Sequence, residues 1–520
     1  MRPKTLVALA CAMVAAVAVS STHGKDYRGT VRAGYTFTDI VGNRGVHQPT
    51  YNLYEGPAFS VDRFQYQWAS GLNLEATVLN PFRNDRRWVI GLNKSGLGGL
   101  TFNHNNYRRV YDFGGDAFTR RRATSGSAWF RPVRQLKLFA GYGITDRAGR
   151  RIDLFEPAGS PGADSSDYRH QLYNAGFEIK HERIYGRLDY HATDFNDNMK
   201  RLGDRKSERL RLNLYGPLPS IENVVVGAGF QSFRNRFTDR SDSLVANTVW
   251  ASTRYTHREG YEVRYSAVFD RARRTGDLTA TDNIVHAVGA GKTWRNHGGF
   301  LLGCTYRVND DALVECSGEG FSASGWLAPV EHLIMRAGMG LETDAVESGR
   351  TLTGDREHDR HWLSAKYTVP QGFLDLKIED HCRDNDDTGS RVRLFRVTQD
   401  AGLTSDRFGD LRVSYAYGDG EYENTAGVFD YGEHVVSGEA LSREFQRVQA
   451  GLGGTYYRSR LDVDVEAFTI TLKGRCRVRS NLAVEIIYSA HNFDNIADLA
   501  EDYSEYYTAN VVEASFVFEL

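Results

Sequence analysis

The feature that most constrains this chain is a two-residue alternation of apolar and polar side chains. It recurs from end to end in segments about ten residues long. In GYEVRYSAVFD, Tyr261, Val263, Tyr265, Ala267 and Phe269 share one parity, and Glu262, Arg264, Ser266, Val268 and Asp270 the other. RIYGRLDYHATD sets Ile184, Gly186, Leu188, Tyr190 and Ala192 against Tyr185, Arg187, Asp189, His191 and Thr193. LDVDVEA sets Leu461, Val463, Val465 and Ala467 against Asp462, Asp464 and Glu466. A strand turns successive side chains to opposite faces, so each segment has an apolar face and a charged one. No helical period intervenes, and the chain reads as all-β.

The connections also alternate. Short ones, HREG (257–260), RNHG (295–298) and VPQG (369–372), are interleaved with longer polar ones at 146–168, 195–206, 272–283, 344–357 and 419–435. Short turns on one side and long loops on the other are the pattern of an outer-membrane β-barrel. A string of soluble sandwiches would need linkers between domains, and none is visible. It would also bury its apolar faces, leaving no reason for Arg, Asp and Glu on the other face of strand after strand. The expectation is one large antiparallel transmembrane barrel over 25–520. About 25 candidate strands are visible, and a single-chain bacterial barrel has an even number, so 24 or 26 is expected. The doubtful stretch is 425–480.

The termini agree with export. Arg2 and Lys4 precede the apolar run TLVALACAMVAAVAV, and Ala18, Ser20 and Ser21 follow, which reads as a signal peptide over 1–24. No later run reaches the length of a membrane helix. The net charge of −2 gives no case for nucleic acid. Of the five cysteines, Cys304, Cys316, Cys382 and Cys476 lie past the signal peptide, and none forms CxxC or CxxCH, so the chain attaches no c-type haem itself. The first strand candidate, DYRGTVRAGYTF, begins almost at the cleavage site. This leaves no room for the N-terminal plug of a TonB-dependent transporter. A barrel this wide cannot be filled by its own side chains. Either a long loop folds inward or another protein occupies the lumen.

Three stretches carry a family resemblance: YRGTVRAGYTFTDIVGNRGVHQPTYNLYEGP (27–57), IGLNKSGLGGLTFNHNNYRRVYDF (90–113) and YYTANVVEASFVFEL (506–520). They resemble MtrB/PioB-type outer-membrane barrels of porin–cytochrome electron conduits. The resemblance implies a porin-like sheath that houses a multihaem c-type cytochrome as partner. The haem would belong to that partner and no cofactor to this chain. This chain lacks the CxxC that some members carry near the mature N-terminus, and it is shorter than the best-known members. The alternative is a porin or specific diffusion channel with a loop such as 146–168 folded in. An enzyme is not expected, since GxSxG and HExxH are both absent.

Candidate residues follow from parity. The lumen is expected to hold Arg187, Asp189, His191, Glu262, Arg264, Asp270, Glu315, Glu319, Asp462, Asp464 and Glu466. In HDRHW, His358 and His361 are three apart and fall on opposite faces, so they share no metal. RDNDDTG (383–389) and YGDGEYEN (417–424) lack EF-hand spacing and read as solvated loops. A three-residue turn at Asn309–Asp311 would set Cys304 opposite Cys316 on the lipid side. The closing segment puts Val512, Ala514, Phe516, Phe518 and Leu520 on one face and Glu513 and Ser515 on the other. Phe516, Phe518 and Leu520 resemble the C-terminal assembly signal of outer-membrane proteins.

Overall fold

A computed structural model describes residues 27–42, 55–81, 83–110, 118–151, 164–199, 203–219, 221–238, 243–275, 280–294, 297–311, 314–349, 356–385, 389–424, 427–460, 465–495 and 507–520. The signal-peptide expectation at 1–24 lies outside them. Among the described residues there are 26 strands and no helix. The strands are β1 (Tyr27–Gly42), β2 (Gly56–Gln67), β3 (Leu72–Leu79), β4 (Arg87–Lys94), β5 (Gly98–Val110), β6 (Phe118–Val133), β7 (Leu136–Arg151), β8 (Asp164–His181) and β9 (Ile184–Asp197). Then come β10 (Arg205–Pro217), β11 (Val224–Phe237), β12 (Ser243–Thr256), β13 (Tyr261–Arg274), β14 (Ala280–Trp294), β15 (Gly298–Asp311), β16 (Val314–Val330), β17 (Leu333–Gly349) and β18 (Arg356–Val369). The last are β19 (Gly372–Asn385), β20 (Ser390–Ser405), β21 (Gly409–Asn424), β22 (Gly427–Ser442), β23 (Val448–Arg460), β24 (Val465–Arg479), β25 (Leu482–Asn495) and β26 (Tyr507–Glu519). The doubtful stretch 425–480 holds three of them.

Each strand pairs antiparallel with the next, and β26 pairs with β1 from Thr30↔Glu519 to Gly42↔Tyr507. The sheet therefore closes and leaves no unpaired edge for lipid. Closure also divides the side chains into two sets, outer and luminal, that can be followed pair by pair around the ring. The outer set holds Phe468, Ile470 and Leu472, 38–49% exposed, and Phe516 and Phe518 at 55% and 39%. Apolar side chains this exposed need lipid against them. At the short-turn end of this face, Lys292 Nζ donates to Tyr261 Oη (2.7 Å) and lies 4.1 Å from the centre of that ring, beside Trp294 and Phe300. An aromatic with a lysine reaching out of the apolar band is an interfacial girdle contact.

Most strands are longer than the roughly 9–11 residues that cross a bilayer. β8 has 18 residues. Several segments expected to be long loops are thus wall. Strands β7 and β8 take all but 152–163 of 146–168, and Asn424 pairs with Gly427 across the β21–β22 hairpin, so most of 419–435 is strand. YGDGEYEN likewise belongs to β21 rather than to a loop. Above the membrane both faces are wet, and the composition there looks like a loop even where the backbone is paired.

β3 and β4 are the exception, at 8 residues each. They stop short and leave a notch in the wall between β2 and β5. Asn80, Pro81 and residues 83–86 fill it. Asn80 N–H donates to the Phe59 carbonyl (3.0 Å), and the Arg86 carbonyl accepts from Asn106 N–H (2.9 Å). Near the closing seam, a bulge at Arg63 (φ 48°) shifts the register of β2 between Val61 and Phe64, so both face outward. With Val31 they form a small buried cluster that Leu520 packs against. Phe64 can sit there because residue 29 is glycine: a Cβ would lie 2.8 Å from Phe64 Cα.

Candidate functional site

The lumen wall is where the charged parity of the strands converges. In β9, Arg187 Nε donates to Asp189 Oδ1 (2.9 Å) and Nη1 to Glu178 Oε1 of β8 (3.2 Å). His191 lies two residues further on, paired with Arg209 of β10. In β13, Glu262 accepts from Arg254 (2.7 Å), Asp270 accepts from Thr248 (2.8 Å), and Arg264 lies against Gly289 of β14. These pairs are half-exposed, so each contributes at most about 1 kcal/mol. Their collective effect is to keep the wall polar.

Three expectations are corrected, two of them luminal. Glu319 pairs with Tyr306 and belongs to the outer set, as does Glu466 of β24. In β24 the alternation of 461–467 runs out of phase with Phe468, Ile470 and Leu472, and it is these three that meet lipid. Lys473, Thr469 and Thr471 take the luminal side instead. The cysteine register is the third correction. β15 runs through Asn309 to Asp311, so the pairing is Cys304↔Phe321 and Asn309↔Cys316. Paired positions sum to an odd number, which puts Cys304 on the outer face and Cys316 on the luminal one. They cannot be bridged. Glu315 pairs with Asp310, but its side chain lies outside the described set, as do Asp462 and Asp464.

His358 and His361 do fall on opposite faces. The signal missed in the sequence is His381 of β19, which meets His358 on the luminal side with nitrogens 3.3 Å apart. Near them Glu379 is held by Arg360 (3.2 Å) and Lys377 (2.8 Å). Among the described residues no group of three or more His, Cys, Asp or Glu could hold a metal ion.

The seam carries its own polar lock. Arg83, from the notch-filling loop, donates to Thr36 Oγ1 (2.9 Å) of β1 and to the carbonyls of Pro57 (3.0 Å) and Gly56 (2.5 Å) of β2. Thr36 is fully buried and pairs with Glu513 of β26. Burial pushes the Asp85 carboxyl above its ordinary value, against the Asn80 amide (2.7 Å) and the Arg83 charge, which favour the carboxylate. Lower on the seam, Glu485 of β25 is buried between Lys473 (3.3 Å) and Arg32 (3.9 Å), and Arg475 grips Glu519.

A second luminal pattern was not read from the sequence. Six aromatic rings lie flat on the wall, each over a glycine directly opposite on the neighbouring strand. The pairs are Trp129 on Gly99, Phe139 on Gly176, Trp250 on Gly229, Trp326 on Gly299, Trp362 on Gly338 and Phe373 on Gly402. A Cβ at Gly99 would fall 2.6 Å from Trp129 Nε1, and one at Gly338 2.5 Å from the Trp362 ring. Covering a strand glycine with a cross-strand aromatic restores the packing that glycine lacks. Here it also keeps large rings from narrowing the lumen.

Comparison with known proteins matches the chain at the level of shape. Its fold is similar to the FrpB iron transporter from Neisseria meningitidis (F5-1 variant), with a TM-score of 0.55, 9% identity, and 96% of this chain and 83% of that chain covered. A second variant of the same transporter, F3-3, gives 0.53 at 8% identity, covering 95% and 82%. A point mutant of the ferric enterobactin receptor PfeA from Pseudomonas aeruginosa gives 0.50 at 9% identity, covering 96% and 81%. The fold is that of a large outer-membrane barrel. No family model matches the sequence, and no curated protein does. Identity this low shows the fold alone.

Proposed function

We propose that this chain is an outer-membrane sheath whose lumen houses a multihaem c-type cytochrome, the barrel insulating and positioning the haems that carry electrons across the membrane. The observation that carries the reading is the width of the ring. Twenty-six strands enclose a lumen too wide for side chains to fill. Every described residue belongs to the wall or to one of its connections. The luminal charges are paired in place, as Arg187 with Asp189 and Glu178 are, so they offer charge-assisted hydrogen bonds to an occupant at fixed positions. The chain has no CxxCH, so haem would arrive on a second chain, as the MtrB/PioB-type resemblance implies.

The test is purification from solubilised outer membranes followed by haem staining. A haem-positive protein is expected to co-elute with the barrel. Recovery of the barrel alone, together with stable solute-sized conductance of the pure chain in a planar bilayer, would instead assign it as a porin.

A further inference from the structure

We propose that the six aromatic rings form a docking collar for the folded protein in the lumen, the collar seating that protein's acidic surface. This rests on the sheath reading and names the surface that does the gripping. The rings lie along half of the circumference, from β6 to β19, so the first and last stand on opposite sides of the 26-strand ring. None is more than seven residues from the short-turn end of its strand. They therefore lie in one band, in the membrane-crossing part of the wall.

A stripe of aromatics running along the pore would suit a small solute sliding through. An arc that ends on opposite walls can be touched as a whole only by a body of the lumen's own width. Each ring has one face on glycine and backbone and the other toward the lumen, and all six are half-buried. Such rings are rigid and already in place, so binding them costs little ordering entropy. Cations lean over three of them: Arg187 is 5.0 Å from the centre of Phe139, Arg211 5.3 Å from Trp250, and Arg131 5.6 Å from Trp129. Beside Trp250 the small residues Ser252, Gly289, Gly303 and Ser322 leave a hollow edged by Arg264 and by the Arg254–Glu262 pair. Trp and Arg are the residues that dominate protein–protein hot spots. Arg131 and Lys137 at Trp129, Arg211 at Trp250 and Arg336 opposite Trp326 put positive charge beside these three rings, where carboxylates on the partner meet it.

The experiment places a photo-crosslinking benzoyl-phenylalanine singly at the positions of Trp129, Trp250, Trp326 and Trp362, with the outward Trp294 as control. Heat-modifiable mobility identifies the folded barrels. Irradiated outer membranes are then probed for the barrel and for haem. Haem-positive adducts are expected from the luminal positions and none from position 294. If the haem protein co-purifies but folded luminal variants yield no adduct above the control, the collar assignment falls while the sheath reading stands. If no haem protein co-purifies with the wild-type barrel, both fall. A third overturning result is quenching of the pure barrel's tryptophan emission by a maltooligosaccharide without any adduct in membranes, which would assign the collar to sugars.

Discussion

At the scale of single residues, the wall separates interactions that hold the barrel from those that line it. Arg83 is of the first kind. Its side chain serves three acceptors on two strands, one of them the buried Thr36. Arg83→Ala leaves Thr36 and Glu513 without that cation and should cost about 2 kcal/mol, the range of a hydrogen bond to a charged group. A lower urea midpoint at unchanged slope is the expected reading; an unchanged midpoint would remove the lock from the account. The Arg187 pairs are of the second kind, and Arg187→Ala should shift stability by less than about 1 kcal/mol in the same assay. Gly229→Ala tests the aromatic packing. The added Cβ would collide with Trp250 and drive the ring into the lumen, with a loss of about 1 kcal/mol of cross-strand pairing. The emission of Trp250 should shift to the red as its ring meets water, measured in a variant whose other tryptophans are replaced by phenylalanine.

At the scale of elements, β26 is the decisive strand. Its outward Phe516 and Phe518 meet lipid, Leu520 N–H donates to the Gly29 carbonyl (2.9 Å), and residues 516–519 supply the last pairs with Thr30–Ala33. Deleting Phe516–Leu520 opens the ring at its periplasmic end and removes the aromatic terminus. The truncated chain is expected in the periplasm or degraded; normal outer-membrane levels after fractionation would sink this assignment. β9 and β13 were legible from sequence because their alternation runs unbroken through the membrane, where water on one side and lipid on the other sort every residue. β16 and β24 were not. Near their long-loop ends both faces are solvated, and a stretch such as 461–467 can alternate in either phase at no cost. For β16 the phase depends on where β15 ends, and extending β15 through Asp311, paired with Val314, in place of a turn at 309–311 exchanges the two faces.

At the scale of the whole molecule, a closed ring of 26 strands is a pore unless something fills it. The pure chain and the complex should therefore differ in a planar bilayer. The chain stripped of its occupant is expected to show large, unstable openings, and the intact complex to be nearly closed to ions. Equal, stable conductance from both preparations would argue that the lumen is an ordinary diffusion path.

The sequence alone determined that the chain is all-β, that it crosses a membrane as strands, and roughly how many strands there are. Each of these follows from the period-two pattern, which every local segment carries by itself. Only the tertiary structure decided the register of β15 against β16, the notch that Arg83 fills, the meeting of His358 with His381, and the seating of Trp250 and its fellows on glycines. Those depend on which residue lies opposite which. The pairing is set by turn position and ring closure across the whole sheet, and no single segment contains that information.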